Sequence, residues 1–130
     1  MIVAAFLLIL CAAPSGAEEP RPLDAKTALV VIDVQAFYLP HGFMPLVEPE
    51  KASANCKRLI EKFRSGHFTI VHVGHNVSKE GEFHPDVKPI EGEKIVRKDE
   101  VSAFNGTDLL DYLEGKGIER LVICGMQTHM

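Results

Sequence analysis

The sequence predicts an α/β domain of Rossmann-like, three-layer architecture, in which a parallel sheet carries helices on both faces. Strand-like apolar runs alternate with helix-like segments, and strands joined in this order require crossover connections. The first run, residues 27–34 (TALVVIDV), has a single charge at Asp33, as expected of a strand buried on both faces. The length of 130 residues and the net charge of -4 fit one small domain.

The remaining elements follow from their residue patterns. Residues 50–65 place apolar side chains at helical spacing between charged ones, which predicts a helix. A second helix is predicted to end at Glu114, with Asn105 or Thr107 as its N-cap. Three further strands are predicted from apolar runs, and a long surface loop from a stretch with glycines and prolines. The strands are residues 68–73, 94–97 and 121–124, and the loop is residues 74–93.

Composition disfavours several functional classes. Hydrophobic residues make up 46% of the chain and charged residues 25%, which is typical of globular proteins and argues against disorder. There is no basic excess of the kind that a nucleic-acid-binding surface needs. We expect a small-molecule substrate as the partner and no nucleic acid. Cys56 and Cys124 lie in a helix-like and a strand-like segment, which predicts two separate buried thiols rather than a disulfide.

Residues 1–17 have the pattern of an export signal. Residues 2–13 are almost wholly apolar, yet shorter than the roughly 20 residues that span a bilayer. Small residues at Ser15 and Ala17 predict cleavage after Ala17, so that residues 18–26 become an N-terminal linker. The mature protein would then be secreted or periplasmic, without stable membrane association. A buried core element and an uncleaved anchor are the alternatives for this stretch.

Polar residues at the carboxyl ends of the predicted strands are the candidates for chemistry, since ligands of open α/β sheets bind there. Asp33 interrupts an apolar strand, where a carboxylate is costly unless it is paired. Lys98 follows another strand and is the natural partner. Together they could activate a third group by taking a proton and favouring an anion. Taken singly, Asp33 could cap a turn and Lys98 could be a solvated surface charge.

The segments ALVVIDVQAFY, PEKASANCKRLIEKFRSG and IVRKDEVSAFNGTDLLDYLEGKGIERLVICGMQTHM resemble the isochorismatase-like cysteine hydrolase superfamily, which includes nicotinamidases. The resemblance covers essentially all of residues 24–130, and its strongest motifs are K-x-x-x-S-A-F and G-M-x-T-H-M. It implies that Asp33 is the general base and that Lys98 lowers the pKa of a nucleophilic thiol. It also implies a covalent reaction at a carbonyl, usually of an amide.

The resemblance assigns further positions around this pair. Gln35 and Phe37 match pocket positions, and His75 is a loop residue that could touch substrate. The turn at residues 125–130 matches the segment that forms an oxyanion hole, with a non-proline cis peptide bond at Met126–Gln127. The turn residues expected at the site are Met126, Gln127, Thr128, His129 and Met130.

Two departures from the family pattern change the expectation. The family nucleophile is a cysteine directly after this T-H-M, so residues 27–130 are expected to be a truncated domain without its C-terminal part. An inactive truncated product or a remnant that only binds a ligand or partner is therefore the alternative to a hydrolase. Metal-binding nicotinamidases have a D-W-H-like motif where this chain has Val73-Gly74-His75-Asn76, so we expect no metal and no cofactor. A full-length form is expected to be a homo-oligomer.

Overall fold

A computed structural model describes residues 21–127, and their fold is a four-stranded parallel sheet with a helix on each face. The sheet order is β3-β2-β1-β4, and every neighbouring pair is parallel. This confirms the predicted architecture. The elements are β1 (Thr27–Ile32), α1 (Pro49–Ser65), β2 (Thr69–His75), β3 (Lys94–Lys98), α2 (Leu109–Gly115) and β4 (Arg120–Gly125), with short 3₁₀ helices at Ala36–Tyr38 and Pro85–Val87.

Each face of the sheet has its own apolar core. Alternate residues of β1 point to opposite faces, so Leu29 packs with Ile60 and Phe63 of α1. Val30 packs on the other side with Leu109 of α2. Residues 27–31 are all buried, which explains why the sequence of β1 is apolar without a polar face.

Element ends differ from the predictions by a few residues. β1 stops at Ile32 because Asp33 adopts a left-handed backbone conformation with φ of 57°. The second helix starts at Leu109 rather than beside Asn105 or Thr107. Thr107 Oγ1 nevertheless accepts the Leu109 N–H at 3.3 Å and donates to Ala103 O, so it fixes the turn that precedes the helix.

The two thiols are buried and reduced, as predicted, and they lie in contact with each other. Cys56 on α1 and Cys124 on β4 belong to the same core, and their side chains share a hydrogen bond. That contact and burial raise the pKa of Cys124, so this thiol stays protonated. The prediction of two buried thiols rather than a disulfide is confirmed, and the structure adds that they are neighbours because Cys124 lies on the sheet face that α1 covers.

Several predictions fall outside the described residues. These are the export signal at residues 1–17, the start of the linker, and the turn residues Thr128, His129 and Met130. Within residues 21–127, neither helix has the length and apolar character needed to cross a membrane.

Candidate active site

Three polar side chains converge where β1, β2 and β3 end. Lys98 Nζ lies 3.0 Å from Asp33 Oδ2, and His75 Nε2 lies 3.4 Å from the same oxygen. Parallel strands present their carboxyl ends at one edge of the sheet, and His75 is paired in register with Lys98. The structure therefore brings together three of the residues that the sequence singled out.

Asp33 reaches this position because the backbone leaves the sheet there. Its left-handed conformation is one that aspartate tolerates better than most residues. Its N–H still donates to Val73 O at 2.9 Å, and its carbonyl accepts the Gln35 N–H at 3.0 Å. The backbone on both sides of the carboxylate is thus held in place.

The ion pair of Asp33 and Lys98 is buried, with side-chain exposures of 9% and 1%. Burial raises the pKa of Asp33 above its usual value, while the hydrogen bond and charge of Lys98 and the charge of His75 offset part of that rise. Lys98 Nζ also donates to Val101 O at 2.7 Å, which fixes the ammonium. A carboxylate with a raised pKa is a better proton acceptor at neutral pH than an ordinary aspartate.

The two carboxylate oxygens of Asp33 have different surroundings. Oδ2 contacts both Lys98 and His75, whereas Oδ1 is buried and has no hydrogen-bond partner within residues 21–127. Because an unpaired buried oxygen is unfavourable, Oδ1 is the atom at which a proton donor would be most stabilising. The sequence did not single out Tyr38, whose hydroxyl lies close enough to Asp33 to be affected by the carboxylate charge. Burial and the Asp33 charge raise the pKa of Tyr38 to about 12.

Gln35 braces the loop after β2. Its Nε2 donates to His75 O at 3.1 Å and to Gly81 O at 2.7 Å, and its Oε1 accepts the His75 N–H at 2.7 Å. The side chain is fully buried, and these contacts position His75. A Cβ at Gly74 would lie 3.0 Å from the Gln35 amide, so a larger residue there would press on this side chain.

Phe37 lies in the core on the α1 side of the sheet. Its ring stacks on Phe43 at 5.0 Å between centroids and contacts Tyr38 at 4.2 Å. The structure thus places it next to Tyr38, with 3% of its surface exposed.

The turn after β4 begins with a close backbone approach. A Cβ at Gly125 would lie 2.0 Å from Ile32 O, and the buried Met126 donates its N–H to the same carbonyl at 3.1 Å. No peptide bond is cis between residues 21 and 127, so the expectation for Met126–Gln127 is wrong. The chain turns instead through a left-handed Gln127 with φ of 68°, which keeps the preferred trans bond.

An open cavity of about 310 Å³ lies beside this cluster, and His75 belongs to both the cluster and the cavity wall. The loop after β2 forms most of its wall, including Asn76, Ser78 and Glu82, and Arg97 of β3 completes it. Arg97 lies 4.5 Å from the centre of the Phe83 ring and donates from Nη1 to Gly81 O at 3.0 Å. The sequence did not single out Arg97, because a cation beside Lys98 in a short strand has no distinctive pattern.

His72 belongs to a buried network behind this cavity. Its Nε2 lies 2.8 Å from Glu93 Oε2, and Arg64 of α1 binds both oxygens of Glu93 at 2.7 and 2.9 Å. Burial lowers the pKa of His72, against an opposing effect of Glu93. Burial alone would raise the pKa of Glu93, but hydrogen bonds from Arg64, the Ile90 N–H and His72 lower it overall. The network ties the end of the long loop to α1.

Within residues 21–127, no group of three His, Cys, Asp or Glu side chains is arranged to hold a metal ion. The same residues present no disulfide-bonded cysteine.

Comparison with known proteins gives one family. The family model of the isochorismatase domain matches residues 27–130. An uncharacterised isochorismatase family protein of Bacillus subtilis, YddQ, is 39% identical over 115 residues, covering 80% of this chain and 64% of its own length. The secreted isochorismatase effector Isc1 of Verticillium dahliae is 31% identical over 122 residues, covering 84% and 64%. The chain therefore spans a little under two thirds of the length of these relatives.

Solved structures resemble the fold over the same region. An isochorismatase of Pseudomonas putida has a TM-score of 0.78 at 30% identity, covering 86% of this chain and 62% of that one. The N-carbamoylsarcosine amidase of Thermoplasma acidophilum has a TM-score of 0.72 at 26% identity, covering 77% and 67%.

Proposed function

Because this chain belongs to the isochorismatase family, we propose that Asp33 and Lys98 form the acid–base centre of a cysteine hydrolase. The observation that carries this proposal is the buried contact of 3.0 Å between Lys98 Nζ and Asp33 Oδ2, with Asp33 Oδ1 unpaired within residues 21–127. The ammonium favours the ionised carboxylate against the opposing effect of burial, and the unpaired oxygen can accept a proton.

The nucleophile in this proposal is a cysteine directly after Met130, at the position that the family resemblance assigns to it. The proposed activity therefore belongs to a form of the protein that carries this cysteine. Neither Cys56 nor Cys124 suits the role, because both are buried in the core beneath α1. The burial and raised pKa of Cys124 also oppose thiolate formation there.

The reaction proceeds through an acyl-enzyme. Asp33 Oδ1 takes the thiol proton, and the sulfur attacks the carbonyl carbon of a small amide. Backbone N–H groups of the turn at residues 125–130 stabilise the oxyanion, with the exception of Met126, whose N–H already donates to Ile32 O. As the C–N bond breaks, the proton passes from Asp33 to the departing amine. Asp33 then takes a proton from water, the hydroxide releases the acid, and the proton returns to the sulfur.

Lys98 takes part in no proton transfer of the proposed cycle. Its ammonium stabilises the thiolate and the ionised Asp33 at the start of each half-reaction. A small amide is the favoured substrate class because the chemistry needs only a carbonyl and a departing amine. The name of the structurally similar amidase from Thermoplasma acidophilum, which is 26% identical, agrees with C–N bond cleavage.

We also propose that the protein is exported. The support is the apolar stretch at residues 2–13, followed by small residues at Ser15 and Ala17. The Verticillium dahliae relative is named as a secreted protein. N-terminal sequencing of protein from the source cells tests this, and a cytosolic protein that begins at Met1 would contradict it.

The first measurement is the intact mass of the native protein, because a mass above 14.3 kDa would indicate a form that continues past Met130. Ammonia release from a panel of small primary amides then measures activity in that form. Asp33→Asn should lower kcat/KM by about 10²–10⁴-fold, the range for loss of a general base. Asp111→Asn, which changes an exposed carboxylate on α2, is the matched control and should leave activity unchanged. Equal activity of the two variants would overturn the proposed role of Asp33.

A further inference from the structure

The wall of the cavity beside the Asp33–Lys98 pair contains an arginine that binds no carboxylate of the described residues. Arg97 donates from Nη1 to two neutral acceptors, Gly81 O at 3.0 Å and His75 O at 3.4 Å. Within residues 21–127, no carboxylate forms an ion pair with it. Arg64 and Arg120 differ in this respect, because each binds a carboxylate, at 2.7 and 2.6 Å.

The guanidinium of Arg97 is also held in a fixed orientation. The Phe83 ring supports it at 4.5 Å from the ring centre, and both backbone contacts use the same nitrogen. Nε and Nη2 donate no hydrogen bond to any residue in the described part of the chain. An arginine with this edge unused can bind a carboxylate through two parallel hydrogen bonds.

Two neutral groups and one acid complete the wall. The Asn76 amide and the Ser78 hydroxyl can donate hydrogen bonds to an anion. Asn76 is anchored by its backbone N–H, which donates to Lys98 O at 2.9 Å. Glu82 is exposed on the same wall, and its negative charge disfavours a ligand that carries more than one negative charge.

We propose that this cavity is a subsite for the carboxylate of a small, singly charged amide substrate, with Arg97 as the residue that binds it. The proposal rests on the proposed hydrolase function, and it narrows the substrate class from small amides to those with a carboxylate. His75 connects the two sites, because it contacts Asp33 Oδ2 and also lines the cavity. The amide of such a substrate would lie at Asp33 while its carboxylate lies at Arg97.

Succinamate and succinamide are matched probes, because the carboxylate of one is replaced by a neutral carboxamide in the other. Binding of each to the 130-residue chain can be measured by NMR titration of backbone amides. We expect succinamate to bind about five-fold more tightly, as for a partly exposed ion pair, and to shift the signals of Asn76 and Ser78. Arg97→Gln should abolish this preference, and Arg97→Lys should retain part of it.

Glu82→Gln provides an independent test that does not alter the Arg97 contacts. It should tighten succinamate binding roughly two-fold, because a repulsive charge is removed, and leave succinamide unchanged. Equal affinity for the two probes, or an Arg97→Gln variant that weakens both equally, would overturn the subsite. Turnover is not needed for this measurement. If the chain binds succinamate selectively but a longer native form hydrolyses no amide, the hydrolase proposal is refuted and the carboxylate subsite is not.

Discussion

Lys98 Nζ and Asp33 Oδ2 lie 3.0 Å apart in a buried ion pair that joins the ends of β3 and β1. Those two strands are not neighbours, since β2 lies between them. The pair therefore bridges across a strand, and His75 at the end of β2 contacts the same carboxylate oxygen at 3.4 Å.

Lys98→Met should destabilise the fold strongly, because it leaves the Asp33 charge buried without its ammonium. The expected loss of unfolding free energy is about 3–5 kcal/mol at pH 8, the range for removing one partner of a buried pair. The pKa of Asp33 rises further in the variant, since the opposing effect of Lys98 is removed. For a carboxyl with a raised pKa, stability is lost as pH rises through that pKa, so the deficit should be smaller at pH 5.

Denaturant unfolding at the two pH values measures this difference. Lys57→Met is the matched control, because Lys57 and Asp86 form an ion pair at 3.5 Å with half of the Lys57 side chain exposed. Its loss should be below about 1 kcal/mol at either pH. If Lys98→Met lost no more unfolding free energy than this control, the Asp33 charge would be well solvated.

The unfolding free energy should also fall as pH is lowered from 7.5 to 5.5. Burial in the folded state lowers the pKa of His72 below its ordinary value of 6.5, so the unfolded chain binds a proton that the folded chain excludes. The pKa of Glu93 is lowered too, and its contribution is lost at still lower pH, below 4.5. His72→Gln keeps a donor for Glu93 and removes the titration. The stability of this variant should therefore depend less on pH between 7.5 and 5.5. If unfolding free energy changed with pH equally in the variant and the unaltered protein, His72 would not be the cause of the pH dependence.

Sequence patterns alone predicted the sheet, its parallel strands and the meeting of Asp33 with Lys98. They could do so because periodicity identifies buried strands, and parallel strands present their carboxyl ends at one edge. Arg97, Tyr38 and Glu93 were not predicted. Their roles depend on the paths of residues 76–93 and of the 3₁₀ helix at Ala36–Tyr38, and no local sequence pattern determines these paths. The contact of Cys56 with Cys124 was missed for a similar reason, since it requires the crossing of α1 over β4.

Gln35→Ala should loosen the loop after β2. The change removes three hydrogen bonds and leaves the His75 N–H without its acceptor, which costs about 1–3 kcal/mol for the unpaired group alone. Hydrogen exchange should quicken at His75 and across residues 76–83, whereas exchange in α2 should change less. Ser65→Ala, which removes an exposed hydroxyl contact to Lys62 O, is the control. If Gln35→Ala changed exchange no more than this control, Gln35 would not be the brace of the loop.

Two glycine substitutions should have opposite effects on stability. A Cβ at Gly125 would lie 2.0 Å from Ile32 O, so Gly125→Ala must move β4 away from β1 and disturb the Met126 N–H bond to the same carbonyl. We expect a loss of about 1–3 kcal/mol or more, as for overpacked interiors. Gly115 ends α2 with open space around it, so Gly115→Ala should be neutral or gain up to about 1 kcal/mol. Thermal unfolding of the two variants measures the contrast. A tolerated Gly125→Ala would mean that the start of the turn after β4 can shift, and that the close approach to Ile32 is not required.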